Sequence, residues 1–181
     1  MATPPVRSAC GLADPGYFFP VHELRDLMRR EPRLTLAVAE SLTCGQVQAR
    51  IGAISGASDF FLGGITVYTL EAKVRHLGVD RAIAAAVDCV SEEVARQMAR
   101  GVGELFGSDF GVATTGYAEP AAGVPDPFAW WAVARHTAGG WEFRSGRLDG
   151  RGLSRTAVQQ VVAETVLTEM LATVRALRGG S

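Results

Sequence analysis

Short apolar runs alternate with amphipathic segments along most of this chain, and this alternation constrains the fold more than any other feature. Short apolar runs are typical of buried strands, whereas apolar residues that recur every three or four positions are typical of helices. Strands that alternate with helices predict a sheet covered by helices on both faces. Near the end, two strands follow each other directly, with a hairpin turn at Ala138–Gly140. We therefore predict an α/β fold, with three α/β/α layers and a mixed, mostly parallel sheet.

Apolar spacing, glycine and proline predict where the elements begin and end. The helix that begins at Ser91 is expected to bury Val94, Met98, Val102 and Leu105. Residues 1–20 hold four prolines among small residues and predict an irregular lead-in, so the domain should span 21–178. Strands are predicted at 34–39, 65–68, 109–116, 128–135 and 141–148, and helices at 21–30, from 46, at 71–78, at 81–86, from 91 and at about 153–177.

Composition and charge exclude several classes of function. A net charge of −1 gives no electrostatic reason to expect nucleic acid or an anionic membrane as a partner. We find no apolar run of about 18 residues and no secretory signal, which predicts a cytoplasmic protein without a membrane span. The three cysteines are irregularly spaced, so neither a metal site nor a disulfide framework is expected. Glycine motifs for dinucleotides and for P-loops are absent, so neither of these binding sites is predicted.

The segment 34–45 is the first candidate for chemistry. An apolar run at 34–39 is followed by a polar turn that contains Glu40, Ser41 and Thr43, and Gly45 precedes a helical pattern. Open α/β sheets bind ligands at such turns, and a helix start offers N–H groups to an anion. The alternative interpretation is structural, since Ser41 or Thr43 could simply cap the helix.

Four features could meet at one end of the predicted sheet: the Ser41 turn, Tyr68 with Lys73, the turn at Thr115–Gly116, and an arginine near the last helix. A serine next to a lysine suits acyl transfer, because the lysine can accept the hydroxyl proton if burial lowers its pKa. Tyr68 could orient or relay that proton. The alternative is that Lys73 is a solvated charge and Tyr68 a packing residue.

Several motifs occur in an order that resembles one family. Its A-E-S-C-T-G-G pattern corresponds to 39–45, its G-A-S-x-x-F to 56–61, and its G-x-x-x-Y-x-x-x-x-K-x-x-x-L-G-V to 64–79. Its V-S-x-x-V-A-x-x-M-A pattern matches 90–99, and its T/S-G-x-A-G-P is echoed at 115–120. From about residue 21 to 175, the chain resembles the C-terminal domain of competence-damage-inducible protein A (CinA), which is also found alone as nicotinamide mononucleotide deamidase.

The resemblance implies hydrolysis of the carboxamide of nicotinamide mononucleotide to nicotinic acid mononucleotide and ammonia, without metal or cofactor. Ser41 would be the nucleophile, Lys73 its base or proton shuttle, and Tyr68 an assistant. Thr43, Gly45 and the helix start would face the substrate, and Thr115 and Gly116 would line the pocket. Arg151 and Arg155 both fit the family's arginine position. The partner would be a small pyridine nucleotide, and the family's habit of self-association implies a homo-oligomer.

Three departures from the family pattern lead to a second hypothesis. Cys44 replaces a glycine, Glu119 places a negative charge where a phosphate-bearing ligand is expected, and Trp130 would fill volume in the pocket. The first hypothesis is therefore an amidohydrolase. The second is a catalytically degenerate relative that binds a ligand or protein partner without turnover.

Overall fold

The computed structural model describes residues 21–179, and the predicted lead-in at 1–20 lies outside the described residues. This range contains six α-helices and five strands. None of these helices is both long enough and apolar enough to cross a membrane. In chain order the elements are α1 (Val21–Arg29), β1 (Leu36–Glu40), α2 (Gln46–Gly52), β2 (Phe61–Thr66), α3 (Leu70–Leu77), α4 (Arg81–Ala86), α5 (Glu92–Phe106), β3 (Phe110–Tyr117), β4 (Phe128–Thr137), β5 (Gly140–Asp149) and α6 (Arg155–Gly179).

The strands form one mixed sheet in the order β2-β1-β3-β4-β5. Strand β1 pairs in parallel with both β2 and β3, and Glu40 lies opposite Thr66 on one side and Thr114 on the other. The hairpin of β4 and β5 then adds two antiparallel pairings. Because β1, β2 and β3 run in the same direction, their carboxyl ends meet at one edge, where such sheets bind ligands.

Helices cover both faces of the sheet. One buried cluster joins α1, α2 and α6 to side chains such as Val38, Val112 and Val133. The other joins α3, α4 and α5 to Ala37, Ala113 and further alanines of the opposite face. Side chains of alternate strand residues thus fill the two clusters, as the pleat requires. The predicted three-layer α/β/α fold with a mixed sheet is confirmed.

Helix α5 packs unusually close to its neighbours on the alanine-rich face. A Cβ added at Gly111 on β3 would overlap the carbonyl oxygen of Ala99 on α5. A Cβ added at Gly101 on α5 would overlap the carbonyl oxygen of Leu77, the last residue of α3. Backbone therefore contacts backbone at both places, and α5 fixes the position of α3 relative to the sheet.

Two sequence predictions about these elements are wrong. Strand β2 begins at Phe61 rather than at residue 65, because Gly63 and Gly64 lie inside the strand and not before it. A Cβ at Gly64 would stand 2.6 Å from the side chain of Gln48, so close packing against α2 explains this glycine. Leu105 is 51% exposed, whereas Phe106 continues the buried face of α5.

Candidate active site

A cleft of about 390 Å³ opens at the edge where β1, β2 and β3 end. Its walls come from the turn after β1, the segment between β2 and α3, the loop before α5, the end of β3 and the first residue of α6. The lining residues are Ser41, Leu42, Tyr68, Thr69, Leu70, Lys73, Asp88, Cys89, Val90, Thr115, Gly116, Tyr117, Ala118, Glu119, Pro120, Ala121 and Arg155.

Ser41 directly follows β1, and its backbone is held from two sides. Its N–H donates to the Thr114 carbonyl oxygen at 3.0 Å, which extends the parallel pairing by one residue. The next carbonyl, that of Leu42, accepts a hydrogen bond from Gln159 Nε2 of α6 at 2.7 Å. Ser41 is only 7% exposed, although it lines the cleft. The sheet and α6 therefore fix the position from which the hydroxyl acts.

Lys73 is buried and contacts the Ser41 hydroxyl. Its Nζ lies 3.1 Å from Ser41 Oγ, 3.0 Å from the Val67 carbonyl oxygen and 3.4 Å from the Tyr68 carbonyl oxygen. Helix α3, which carries Lys73, begins at a Thr69 cap that accepts from the Ala72 N–H. The chain has 18 basic residues, and Lys73 is its single lysine. That count is a sequence signal that sets Lys73 apart from the surface cations.

Burial lowers the pKa of Lys73 below its ordinary value, because the charged amine loses its hydration. The Asp88 carboxylate, and the Cys89 side chain once it loses its proton, act in the opposite direction and raise the pKa of Lys73, but they do not reverse the shift. More of Lys73 is therefore neutral near pH 7 than of a solvated lysine. A neutral amine 3.1 Å from a hydroxyl is positioned to accept its proton.

The Tyr68 phenol does not contact Ser41 or Lys73. Tyr68 is 53% exposed, and its hydroxyl oxygen accepts a hydrogen bond from Arg155 Nη2 at 2.9 Å. It is the backbone carbonyl of Tyr68, not the side chain, that meets Lys73. The phenol thus belongs to the rim of the cleft, and the predicted role in proton transfer has no hydrogen bond to support it.

The structure separates the two candidate arginines. Arg155 lines the cleft, where its Nη1 donates to Glu119 Oε1 at 2.7 Å. Arg151 instead pairs with Asp126 at 3.0 Å and lines a different, smaller cavity. Of the two alternatives that the sequence left open, Arg155 lines the cleft and Arg151 does not, because the Arg151 side chain turns toward the loop before β4.

Thr43, Gly45 and the start of α2 do not line the cleft, contrary to the prediction. The carboxylate of Glu40, which is fully buried, accepts from the Thr43 hydroxyl at 2.6 Å and from the Gly45 N–H at 2.9 Å. It also accepts from the backbone N–H groups of Val47 and Gln48 at the first turn of α2. Glu40 thus occupies the anion position that a helix start offers, and a substrate cannot use it.

In the described part of the chain, the turn after Ser41 also holds two backbone N–H groups without an acceptor. Within residues 21–179, the N–H groups of Leu42 and Thr43 donate to no acceptor, although both residues are buried. They directly follow Ser41 in the turn. Unpaired buried N–H groups are rare, and next to a nucleophile they are candidates for an oxyanion hole.

Thr115 and Gly116 lie where the sequence predicted them, at the cleft wall. The Thr115 hydroxyl is buried and donates to the carbonyl oxygen of Cys89 at 2.7 Å, so it holds the loop between α4 and α5 rather than facing a ligand. That loop brings Asp88 and Cys89 into the cleft, and the sequence interpretation missed both. No local pattern at 87–90 indicated a site, since the approach depends on the contact with β3.

The three departures from the family pattern have different outcomes. Cys44 is exposed, has a left-handed φ of 49° and does not line the cleft. Trp130 was predicted to fill the pocket, but it packs against the buried cluster under α5. Strand alternation explains this correction, because Trp130 and its neighbour Trp131 lie on opposite faces of the sheet. Glu119 does line the cleft, and Arg155 pairs with it.

The cleft is not the largest cavity. A cavity of about 470 Å³ lies between β4, β5 and the end of α6. Its charged side chains form ion pairs, Arg135 with Glu142 at 3.7 Å and Arg144 with Glu169 at 2.6 Å. It offers no nucleophile beside a base. Within residues 21–179, no group of three or more potential ligands could hold a metal ion.

Comparisons with known proteins agree on one family. The model of the CinA C-terminal domain matches residues 21–174. A CinA-like protein of Geobacter sulfurreducens is 42% identical over 139 residues, which is 76% of this chain and 33% of that protein. A CinA-like protein of Chlorobaculum tepidum is 49% identical over 96 residues, 53% of this chain and 23% of that protein. The chain thus spans a third or less of the length of these curated relatives.

Solved structures match over nearly their whole length. A competence or damage-inducible protein from Enterobacter asburiae aligns with a TM-score of 0.74 at 26% identity, covering 85% of this chain and 95% of its own. The competence damage-inducible protein A from Klebsiella pneumoniae aligns with a TM-score of 0.73 at 28% identity, covering 84% and 95%. These similarities extend the fold and family assignment over most of the chain.

Proposed function

This chain belongs to the CinA C-terminal domain family, and we propose that it is an amidohydrolase acting on nicotinamide mononucleotide or a related pyridine nucleotide. The reaction would convert the carboxamide into a carboxylate and release ammonia. One observation carries the proposal: a buried lysine with a lowered pKa stands 3.1 Å from a serine hydroxyl inside a cleft. Such a pair is the serine–lysine form of an activated nucleophile.

In the first half of the reaction, Ser41 Oγ attacks the carboxamide carbon while Lys73 Nζ accepts the hydroxyl proton. The carbonyl oxygen becomes negatively charged, and the N–H group of Leu42, which follows Ser41 and lines the cleft, stabilises it. The C–N bond then breaks, and the proton held by Lys73 passes to the leaving nitrogen. Ammonia departs, and the acyl group remains as an ester of Ser41.

In the second half, water attacks the ester carbon while Lys73 Nζ again accepts a proton. The bond between the acyl carbon and Ser41 Oγ breaks, the proton returns from Lys73 to Ser41, and the carboxylic acid is released. Every proton transfer uses the same amine, so neither a metal nor an organic cofactor is required. A phosphate of the substrate would bind Arg155 by displacing Glu119 from it.

The experiment that tests the proposal is release of ammonia from nicotinamide mononucleotide. We expect Ser41→Ala and Lys73→Met each to lower kcat by at least about 10³-fold, as loss of a nucleophile or its base does in related triads. Ser108→Ala is the matched control, because Ser108 is also buried but donates to the Phe110 carbonyl oxygen outside the cleft. Wild-type protein that releases no ammonia at high concentration would overturn the proposal.

The second hypothesis, a degenerate relative that binds without turnover, is supported by the pair of Arg155 and Glu119. The carboxylate neutralises the cation that would otherwise attract a phosphate. Under this hypothesis nicotinamide mononucleotide is not hydrolysed, and Ser41→Ala leaves ligand binding unchanged. Calorimetric titration of the wild-type protein and of Ser41→Ala, run beside the ammonia assay, separates the two hypotheses.

A further inference from the structure

The loop between α4 and α5 holds an acidic side chain against the cleft in a backbone conformation that few residues adopt. Asp88 and Cys89 are consecutive and have left-handed φ angles of 48° and 62°. Such angles are unfavourable for residues with a Cβ, although aspartate tolerates them better than most. The hydrogen bond from the Thr115 hydroxyl to the Cys89 carbonyl oxygen fixes this conformation against β3. The loop is therefore tied to the sheet, and Asp88 has a defined place at the cleft wall.

The Asp88 carboxylate has a neutral partner. The Tyr117 hydroxyl donates to Asp88 Oδ2 at 2.8 Å. Burial and the neighbouring carboxylate raise the pKa of Tyr117 to about 12, so the phenol keeps its proton at physiological pH. The ring of Tyr117 is held in turn by an edge contact with Phe128, with centroids 5.5 Å apart. Tyr117 thus orients the carboxylate without neutralising its charge.

Within residues 21–179, Asp88 is the acidic side chain of the cleft that forms no ion pair. Four charged side chains line the cleft: Lys73, Asp88, Glu119 and Arg155. Arg155 and Glu119 form an ion pair at 2.7 Å. Lys73 is buried, and burial lowers its pKa, so it carries less positive charge than a solvated lysine. Asp88 and Ser41 line the same cleft, so the negative charge of Asp88 acts on the space in which the nucleophile reacts.

We propose that Asp88, oriented by Tyr117, binds the positively charged ring of the substrate and makes the site selective for cationic pyridinium compounds. This inference rests on the proposed function for the identity of the ring. A carboxamide carbon at Ser41 places its aromatic ring within the same cleft, and a pyridinium ring carries a full positive charge. An anion in the cleft wall attracts that ring, whereas a neutral ring of the same shape gains nothing.

The test compares two ligands that differ in ring charge. Nicotinamide mononucleotide has a cationic ring, and its reduced form has a neutral ring with the same carboxamide and phosphate. We measure the Kd of both by calorimetry in the Ser41→Ala background, with and without Asp88→Asn. Asparagine keeps the oxygen that accepts from Tyr117 and tolerates the left-handed φ. The matched control is Asp59→Asn, an acid that pairs with Arg29 outside the cleft.

We expect Asp88→Asn to raise the Kd of the cationic ligand about three- to tenfold, as loss of a partly exposed charge pair does. The Kd of the reduced ligand should stay within about twofold, and Asp59→Asn should change neither. Equal changes for both ligands overturn the inference. Charge-selective binding without ammonia release by the wild-type protein supports the inference and overturns the proposed function. Ammonia release together with binding that does not depend on ring charge supports the proposed function and overturns the inference about Asp88.

Discussion

Two buried polar residues at the end of β1 differ in how completely they are hydrogen-bonded. The Glu40 carboxylate accepts from the Thr43 hydroxyl, three backbone N–H groups and the Gln48 side chain. Ser41, the next residue, shares its hydroxyl with the amine of Lys73 and lines the cleft. A buried carboxylate with this many donors is fully satisfied and serves the fold. A hydroxyl with one amine partner beside a cleft remains free to react.

Replacement of Glu40 by glutamine should destabilise the protein although the shape is kept. One carboxylate oxygen becomes an NH₂ group that faces N–H and O–H donors, so hydrogen bonds to a charged acceptor are lost and donors at the start of α2 are left unpaired. We expect the free energy of unfolding to fall by about 2–4 kcal/mol, measured by urea denaturation. Glu104→Gln is the control, since Glu104 is exposed and, among the described residues, pairs with Arg100 on the helix surface. Equal stability of the two variants would show that Glu40 does not hold the turn.

Among the elements, α5 controls the position of α3 and therefore of Lys73. Gly101→Ala places a methyl group against the carbonyl oxygen of Leu77, which lies one helical turn after Lys73 on α3. Because that oxygen belongs to the backbone, the clash can be relieved only if α3 moves. We expect the unfolding free energy to fall by about 1–3 kcal/mol. If Lys73 is the base, kcat should also fall about 10- to 100-fold, because small misplacements of catalytic groups are costly.

The control for this prediction is Gly52→Ala in the last turn of α2. A Cβ at Gly52 meets no atom within 4 Å, so the substitution should change stability by less than about 1 kcal/mol and leave kcat unaltered. Denaturation midpoints and ammonia release are measured on both variants. Gly101→Ala protein with wild-type kcat would mean that α5 does not position the amine.

The helices and strands could be predicted from the sequence where buried apolar residues recur at a regular spacing. The alternation of strands and helices predicted the three layers, and the Ala138–Gly140 turn predicted the hairpin. Glycine also misled, because the strand was predicted to begin at residue 65, after Gly63 and Gly64, although packing against neighbouring helices explains these glycines inside β2. At the site, the sequence predicted neither that the Glu40 carboxylate holds the turn after β1 nor that Asp88 lines the cleft. Their partners are set by the approach of α2 and β3, which no local spacing encodes.

At the scale of the whole molecule, the set of basic residues is unusual because nearly all of them are arginines. The chain has a single lysine among its 18 basic residues, and arginine does not titrate below pH 12. Between pH 7 and 10.5, Lys73 is therefore the basic side chain that releases a proton. Burial raises the pKa of Cys89 and of Tyr117 in the folded protein. The stability that these two groups contribute is therefore lost as the pH rises above the pKa that each has in the unfolded chain. The self-association that the family resemblance implies stays a prediction.

Lys73 should make the stability of the protein rise with pH, in the opposite direction to Cys89 and Tyr117. Its pKa is lowered by burial in the folded state, so between that value and 10.5 the unfolded chain binds more protons. Lys73→Met removes this contribution. We expect the variant's unfolding free energy, minus that of wild type, to be largest near pH 7. The difference should shrink toward pH 10 with a slope of at most about 1.4 kcal/mol per pH unit.

Urea denaturation of both proteins across that range measures the difference, and the subtraction removes the contributions that Cys89 and Tyr117 make to both. Arg75→Met on the same helix is the matched control, because arginine side chains do not titrate in this range and the effect of this substitution should not depend on pH. If Lys73 is also the base, kcat/KM of the wild-type protein should rise with pH over the same interval in which the stability difference shrinks. A difference that is constant from pH 7 to 10 would mean that Lys73 keeps its ordinary pKa, and the amine would then be protonated when it meets Ser41.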